Sequence, residues 1–163
     1  MLNISRATLE HLEFITNIYN DAVLTTTATF DTEPQSLEEQ RLWFNEHNDK
    51  FPILVAEIDG VVVGWASLSR WSGRCAYSET AEISIYIKDV YRGKGIGTNL
   101  LQKILEEGKA AGLHTVLARI AEGSDVSIKL HKKAGFENVG IMKEVGKKFG
   151  KLLDVHMLQI IFK

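Results

Sequence analysis

The chain has 163 residues, a formal net charge of -2, and 45% hydrophobic and 25% charged residues, the size and composition of one ordinary globular domain with its own core. The near-neutral charge excludes the basic footprint of a nucleic-acid binder. The longest apolar runs, Val61–Val63 and Ile160–Phe162, fall far short of a bilayer span, and the single cysteine, Cys75, excludes an internal disulfide framework. Residues 1–6 lack the apolar region of a signal peptide, so the expected location is a reducing cytoplasm. The five histidines (His11, His47, His114, His131, His156) show no metal-ligand spacing, and no metal is expected.

Leu2–Arg6 reads as a short strand. Thr8 offers an N-cap, and Leu12, Ile15, Tyr19 and Ala22 follow at helical spacing. Ser36-Leu37-Glu38-Glu39 is a capping box that opens a second helix through about His47. Ile53–Ile58 and Val61–Ser69 are strands joined by Asp59-Gly60, a two-residue hairpin signal. Thr80–Ile87 alternates, with Ala81, Ile83, Ile85 and Ile87 on one side and Glu82, Ser84 and Tyr86 on the other. After the glycine-rich turn Gly93–Gly97, Leu100, Leu101, Ile104 and Leu105 form the inner stripe of a helix ending near Gly112. Leu113–Ile120 is the next strand, Asp125–Ala134 a short helix closed by Gly135, and Phe136–Lys143 and Leu152–Phe162 are closing strands. The basic run Lys143–Lys151 reads as a solvated hairpin. The order is mixed α/β, with antiparallel hairpins and one helical crossover, in a single domain over residues 1–163.

The strand, turn and helix over residues 80–105 carry the first chemical signal. Backbone N–H groups at a helix start are unpaired and point outward, and with the helix dipole they attract anions. In Arg92-Gly93-Lys94-Gly95-Ile96-Gly97 the glycines let a phosphate approach the backbone, while Arg92 and Lys94 add positive charge. The dinucleotide fingerprint G-x-G-x-x-G is not met, because the glycines fall as G-x-G-x-G, and the P-loop pattern is absent. Two readings remain. One is the [RQ]-x-x-G-x-[GA] turn that grips the pyrophosphate of coenzyme A, which Arg92, Gly95 and Gly97 fit; the other is a helix-capping turn whose glycines serve packing alone.

At these residues the sequence resembles the GNAT acetyltransferase superfamily, and within it the phosphinothricin N-acetyltransferase group, whose members acetylate amino acids related to glutamate or methionine. The likeness covers nearly the whole chain: Ile18-Tyr19-Asn20, Thr29-Phe30 and Thr32-Glu33-Pro34 early; Ala76-Tyr77 and Thr80-Ala81-Glu82 in the middle; Leu130-His131, Ala134-Gly135-Phe136, Gly150 and Asp154-Val155 late. The resemblance implies an α/β fold of GNAT type: a mixed, mostly antiparallel central sheet with a splayed strand pair, flanked by helices. It also implies acetyl-coenzyme A as cosubstrate and a homodimer, with Val155 resembling a residue that reaches the partner's site.

Acetyl transfer to an amine needs a neutral nitrogen, and a free amino group is mostly protonated near pH 7. A carboxylate is a plausible proton acceptor. Glu82 lies on the polar face of the strand that leads into the turn, and the resemblance gives that position the base; the alternative is a solvent-facing glutamate on an edge strand. His131 takes the slot where many GNAT enzymes carry a tyrosine that protonates the leaving thiolate. A histidine there can donate or accept near pH 7, or can hydrogen-bond coenzyme or backbone without transferring a proton. Implied coenzyme contacts are the backbone of Ile85, Tyr86 and Ile87, the turn residues Arg92, Gly93, Lys94, Gly95, Ile96, Gly97 and Thr98, and Ser124, which stands where many relatives carry an asparagine. Ile83–Ile87 is the edge to which pantetheine amides would bond if the strand splays, often with a bulge.

Phe30, Arg74 and Tyr77 are the implied substrate contacts, with Arg74 suited to a forked hold on a carboxylate or phosphinate. Trp65 and Trp71 read as core or dimer-interface residues, and Cys75 as a buried or bystander thiol. Three functions therefore stand in competition. The first is N-acetylation of a small amino acid. The second is acetylation of a protein N-terminus, a lysine or a polyamine. The third is a coenzyme-A-binding domain without catalysis, which the joint presence of Glu82 and His131 disfavours.

Overall fold

A computed structural model describes residues 1–163. Seven strands, β1 (Leu2–Arg6), β2 (Ile53–Ile58), β3 (Val61–Arg70), β4 (Thr80–Ile87), β5 (Thr115–Ala121), β6 (Glu137–Lys148) and β7 (Lys151–Ile161), form one sheet in the order β1-β2-β3-β4-β5-β7-β6. Four helices flank it: α1 (Leu12–Thr25), α2 (Leu37–Asn45), α3 (Ile96–Ala110) and α4 (Asp125–Lys133). No helix is long and apolar enough to cross a membrane.

Local chemistry accounts for several of the ends. Asp59 and Gly60 both take positive φ, 51° and 80°, the two left-handed residues that match a tight turn to the twist of its strands. Ser36 Oγ accepts from Glu39 N at 3.1 Å while Glu39 Oε1 accepts from Ser36 N at 3.3 Å, closing the capping box of α2. That helix ends at Asn45 rather than His47 because Glu46 and His47 bond to carbonyls three residues back, a tightened last turn.

α3 crosses one face of the sheet over β1 to β4. Leu100, Leu101 and Ile104 are fully buried there with Leu68, Ala81, Ile83 and Val116. On the other face Ile15 and Ile18 of α1 pack with Val55 and Trp65. The alternation of β4 is divided accordingly. Ala81 and Ile83 belong to the α3 core, whereas Tyr86 packs against the α1 cluster.

The crossover through α3 makes β4 and β5 parallel neighbours. They pair at only three positions, Thr80 with Thr115, Ala81 with Val116 and Glu82 with Leu117. Beyond Glu82 the strands part, although β4 runs on to Ile87 and β5 to Ala121. Register between β3 and β4 continues unbroken from the Arg70–Ala81 pair to the Gly64–Ile87 pair. The splay therefore occurs, and it does so with no bulge in β4.

The closing hairpin departs from expectation. β6 extends to Lys148 instead of stopping at Lys143. Lys143, Glu144 and Val145 bulge out between the Met142–Val155 and Gly146–Leu153 pairs, with Glu144 at φ 50°. Asp154 fills the bulge: its Oδ1 accepts from Glu144 N at 2.8 Å and its Oδ2 from Lys143 Nζ at 3.2 Å. The basic run is not uniformly solvated either. Lys148 is only 4% exposed and donates to the Thr29 carbonyl at 2.8 Å, tying β6 to the loop between α1 and α2.

Leu100 sits where α3 meets the sheet, with no exposed surface. Leu100→Ala is expected to lower unfolding free energy by about 2–5 kcal/mol, through lost transfer energy and an unfilled cavity. A urea titration would show this as a lower midpoint at unchanged slope.

Candidate active site

The parting of β4 and β5 opens a cavity of about 650 Å³ that reaches from the α1–α2 loop, through the gap in the sheet, to α4. Glu82, Ser84 and Tyr86 of β4, Arg119 of β5, and Ser124, Ser127 and His131 at the start and end of α4 all line it. The two sequence-predicted catalytic residues, far apart in the chain, thus share one cavity.

Glu82 is held by a partner that the sequence reading did not find. Arg119 Nε donates to its Oε2 at 2.6 Å and Arg119 Nη2 to its Oε1 at 2.7 Å, a forked ion pair across the splaying strands. The Arg119 guanidinium lies 5.3 Å from the centre of the Trp71 ring, a cation–π distance. Trp71 is half-buried beneath it rather than in the core. A signal for Arg119 was present in Val116-Leu117-Ala118-Arg119-Ile120-Ala121: a guanidinium inside an otherwise apolar strand needs a counter-charge.

His131 is 2% exposed. Its Nδ1 bonds to the Ser127 carbonyl at 2.7 Å. A carbonyl only accepts, so Nδ1 carries the proton and Nε2 is left with its lone pair. The Phe136 ring stands edge-on, 5.1 Å away. Burial holds the His131 pKa below the usual 6.5, opposed by the Ser127 bond. The resting imidazole is therefore neutral near pH 7, suited to accept a hydrogen bond at Nε2 rather than to donate a proton there.

The freed edge of β4 supplies backbone groups. Lys88 N bonds to Val63 O, and Trp71 N to Thr80 O, at the two ends of the β3–β4 ladder. By antiparallel alternation the even-numbered residues of β4 face β3, and the odd-numbered Ile85 and Ile87 turn their N–H and C=O toward the gap. Tyr86 offers its ring instead of its backbone, 5.1 Å from Trp65 and 5.3 Å from Tyr19. Burial raises the phenol pKa of both tyrosines, so each keeps its proton.

Just past β4, the turn Arg92–Gly95 leads into α3. Gly93 and Gly95 take φ of 76° and 80°, and a Cβ added to either would meet no atom within 4 Å. No side chain caps α3 and its first turn holds no acid, unlike the boxed start of α2. The amides of Ile96, Gly97 and Thr98 are therefore open to an outside anion. Arg92 Nε donates to the Ile87 carbonyl at 3.3 Å, and Lys94 stands over the Tyr91 ring at 5.5 Å. Ser124 is the N-cap residue of α4, but its hydroxyl makes no capping bond and lines the cavity.

Phe30 lines the cavity and rests on Gly146, where an added Cβ would overlap its ring. Arg74 and Tyr77 do not line it; they occupy an exposed turn ahead of β4, and Cys75 between them is exposed too, not buried. Val155, expected to reach a partner's site, is buried in the wall of this chain's own cavity. Trp65 is buried as expected but also borders the cavity, beside Tyr19 and Trp43. No group of three or more His, Cys, Asp or Glu is placed to hold a metal ion.

Residues 15–136 match the Acetyltransferase (GNAT) family, and the chain belongs to that family. It is 41% identical over 160 residues to an L-methionine sulfoximine/L-methionine sulfone acetyltransferase of Pseudomonas aeruginosa, covering 97% of this chain and 93% of the relative. A phosphinothricin acetyltransferase from Sinorhizobium meliloti, solved in complex with acetyl-coenzyme A, superposes with a TM-score of 0.95 at 36% identity, over 99% of this chain and 88% of that one. A ribosomal-protein-alanine N-acetyltransferase from Brucella melitensis superposes equally well, with a TM-score of 0.95 at 39% identity over 98% and 99% of the two chains.

The buried histidines predict a pH dependence of stability. Burial lowers the pKa of both His131 and His47 in the folded chain. Below about pH 6.5 the unfolded chain therefore binds protons that the folded chain refuses, and unfolding becomes easier as pH falls. Urea midpoints should be level above that value and decline from pH 6.5 toward 5, with a shallower decline in His131→Gln. The lowered pKa of Asp154, caused mainly by the Glu144 N–H, acts only in the more acidic range below its usual 3.8.

Proposed function

We propose that residues 1–163 act as a single acetyltransferase domain that moves an acetyl group from acetyl-coenzyme A to the amino group of a small amino-acid-like substrate, of the kind represented by phosphinothricin and methionine sulfoximine. The observation that carries this reading is the splay of β4 from β5, which puts Glu82, His131 and a free backbone edge on one cavity, with the open start of α3 following the end of β4 in the chain. The size of that cavity suits a small molecule.

The residues fit the cosubstrate. The amides of Gly93–Thr98 with Arg92 and Lys94 would hold its pyrophosphate. The N–H and C=O groups of Ile85 and Ile87 would pair with its pantetheine amides, with the Ser124 hydroxyl as a further partner. Acetyl-coenzyme A supplies a thioester whose C–S bond breaks as the N–C bond forms. Glu82 takes one proton from the substrate ammonium and passes it to water. The amine nitrogen loses a second proton as the amide forms, and one proton ends on the departing sulfur, so the products are amide, thiol and a released proton. His131, neutral with an open Nε2, accepts a hydrogen bond from the reacting amine rather than protonating the thiolate. Phe30 walls the substrate end.

The Brucella melitensis neighbour favours a second reading, acetylation of a protein N-terminus. Thiol release from acetyl-coenzyme A with methionine sulfoximine, phosphinothricin, spermidine and an alanine-terminated peptide separates the two. Higher catalytic efficiency on the peptide would reassign the substrate class, and no release with any amine would remove the catalytic reading. Glu82→Gln keeps the size but not the basicity. Its turnover is expected to fall about 10²–10⁴-fold with coenzyme affinity nearly unchanged, as read by steady-state kinetics and calorimetry.

The same reading places the enzyme in the cytoplasm as a homodimer. β6 ends the sheet and exposes Val139, Ile141 and Val145, an apolar edge strand that needs covering. Light scattering should give twice the chain mass of 18.3 kDa; a monomeric mass would refute the assembly.

A further inference from the structure

The carboxylate assigned the base role is bound on both oxygens by Arg119. Of the residues lining the cavity, Arg119 is the one permanent cation; the other titratable groups there are Tyr19, Asp31, Glu82, Tyr86 and His131. Its side chain is 51% exposed, against 21% for Glu82, so a solute in the cavity can reach it. Arg74, the arginine that the family resemblance implies, stands outside the cavity wall.

We propose that Arg119 receives the carboxylate of an amino-acid substrate, and that its ion pair with Glu82 is a resting clasp which that carboxylate opens. The inference rests on the acetyl-transfer reading above and names the specificity residue within it. An α-amino acid carries an ammonium and a carboxylate one carbon apart, and the Glu82–Arg119 pair presents the complementary charges side by side. The guanidinium fork accepts one carboxylate as well as another, so exchanging Glu82 for the substrate retains two N–H···O bonds. Trp71 supports the guanidinium from below, and that surface remains available when the fork turns from one carboxylate to the other.

The exchange couples recognition to the proton step. While Arg119 bonds to it, both Glu82 oxygens are engaged by the guanidinium and neither is free to meet an ammonium alone. Once Arg119 moves to the substrate carboxylate, Glu82 keeps only the substrate ammonium as a close partner. An N–H bond then breaks, an O–H bond forms on Glu82, and the amine is left neutral for attack. An amine without a carboxylate leaves the clasp shut and meets a base already bonded on both oxygens.

The test compares methionine sulfone with 3-(methylsulfonyl)propylamine, the same molecule without its carboxylate, in the wild-type chain and in Arg119→Gln, Arg119→Lys and Arg74→Gln. For Arg119→Gln the KM for methionine sulfone is expected to rise about 10–100-fold, the range for lost hydrogen bonds to a charged group. The amine's kcat/KM should rise in the same variant, because the clasp that its binding cannot open is gone. Arg119→Lys should recover part of the KM. Equal losses for both substrates would show that Arg119 only braces the strands and would overturn the proposal. A carboxylate-specific KM increase in Arg74→Gln, absent from Arg119→Gln, would overturn it in favour of Arg74. Wild-type thiol release with methionine sulfone separates these failures from failure of the acetyl-transfer reading, which would show as no release with either compound.

Discussion

Three residue pairs join the two halves of the sheet, and nearly everything at the candidate site follows from there being no fourth. Thr80, Ala81 and Glu82 meet Thr115, Val116 and Leu117, and then the strands diverge. The buried leucines of α3 pack with Leu54 and Leu68 of one half and with Val116, Ala118 and Leu158 of the other, in one continuous core. With that core shared by both halves, divergence of the strand ends leaves it intact. It leaves the backbone groups of Ile85 and Ile87 facing the gap, and in an ordinary sheet such groups would be satisfied by the next strand. Glu82 is the last paired residue and so stands at the fork, where the two strands are still close enough for Arg119 to reach it.

Burial gives the same cavity its protonation pattern. His131 is driven toward the neutral form while the Ser127 carbonyl fixes which nitrogen keeps the proton. Tyr19 and Tyr86 are held as phenols, Tyr19 bonding to Thr29 Oγ1 and Asp31. Glu82 and Arg119 remain as the one opposed charge pair. The site thus carries one opposed pair at the fork and a further carboxylate, Asp31, bonded to Tyr19 in the same cavity.

Much of this was legible in the residues, for local reasons. The Asp59-Gly60 turn, the Ser36–Glu39 box and the alternation of Thr80–Ile87 each depend on chemistry within a few positions, and each is where it was expected. Glu82, His131, Ser124 and Phe30 converge on one cavity because the element order fixes the topology. What escaped the reading depends on contacts between distant segments. The bulge at Lys143–Val145 needs Asp154 to fill it, and Lys148 is buried only because the Thr29 carbonyl, 119 residues away, accepts from it. Arg119 pairs across 37 residues, and the exposure of Arg74 and Tyr77 follows from the path of a turn with no periodicity.

An interior strand edge with open amides is also an aggregation hazard, since any extended chain could add to it as a strand. Here the edge lines a cavity, and the fork where it begins carries the charges of Glu82 and Arg119. A second protein's strand, bearing side chains on both faces, would have to bury against that pair. A slender arm of amides and methylenes would not. The charged pair at the fork therefore also discourages a half-finished sheet from recruiting its neighbours in a crowded solution.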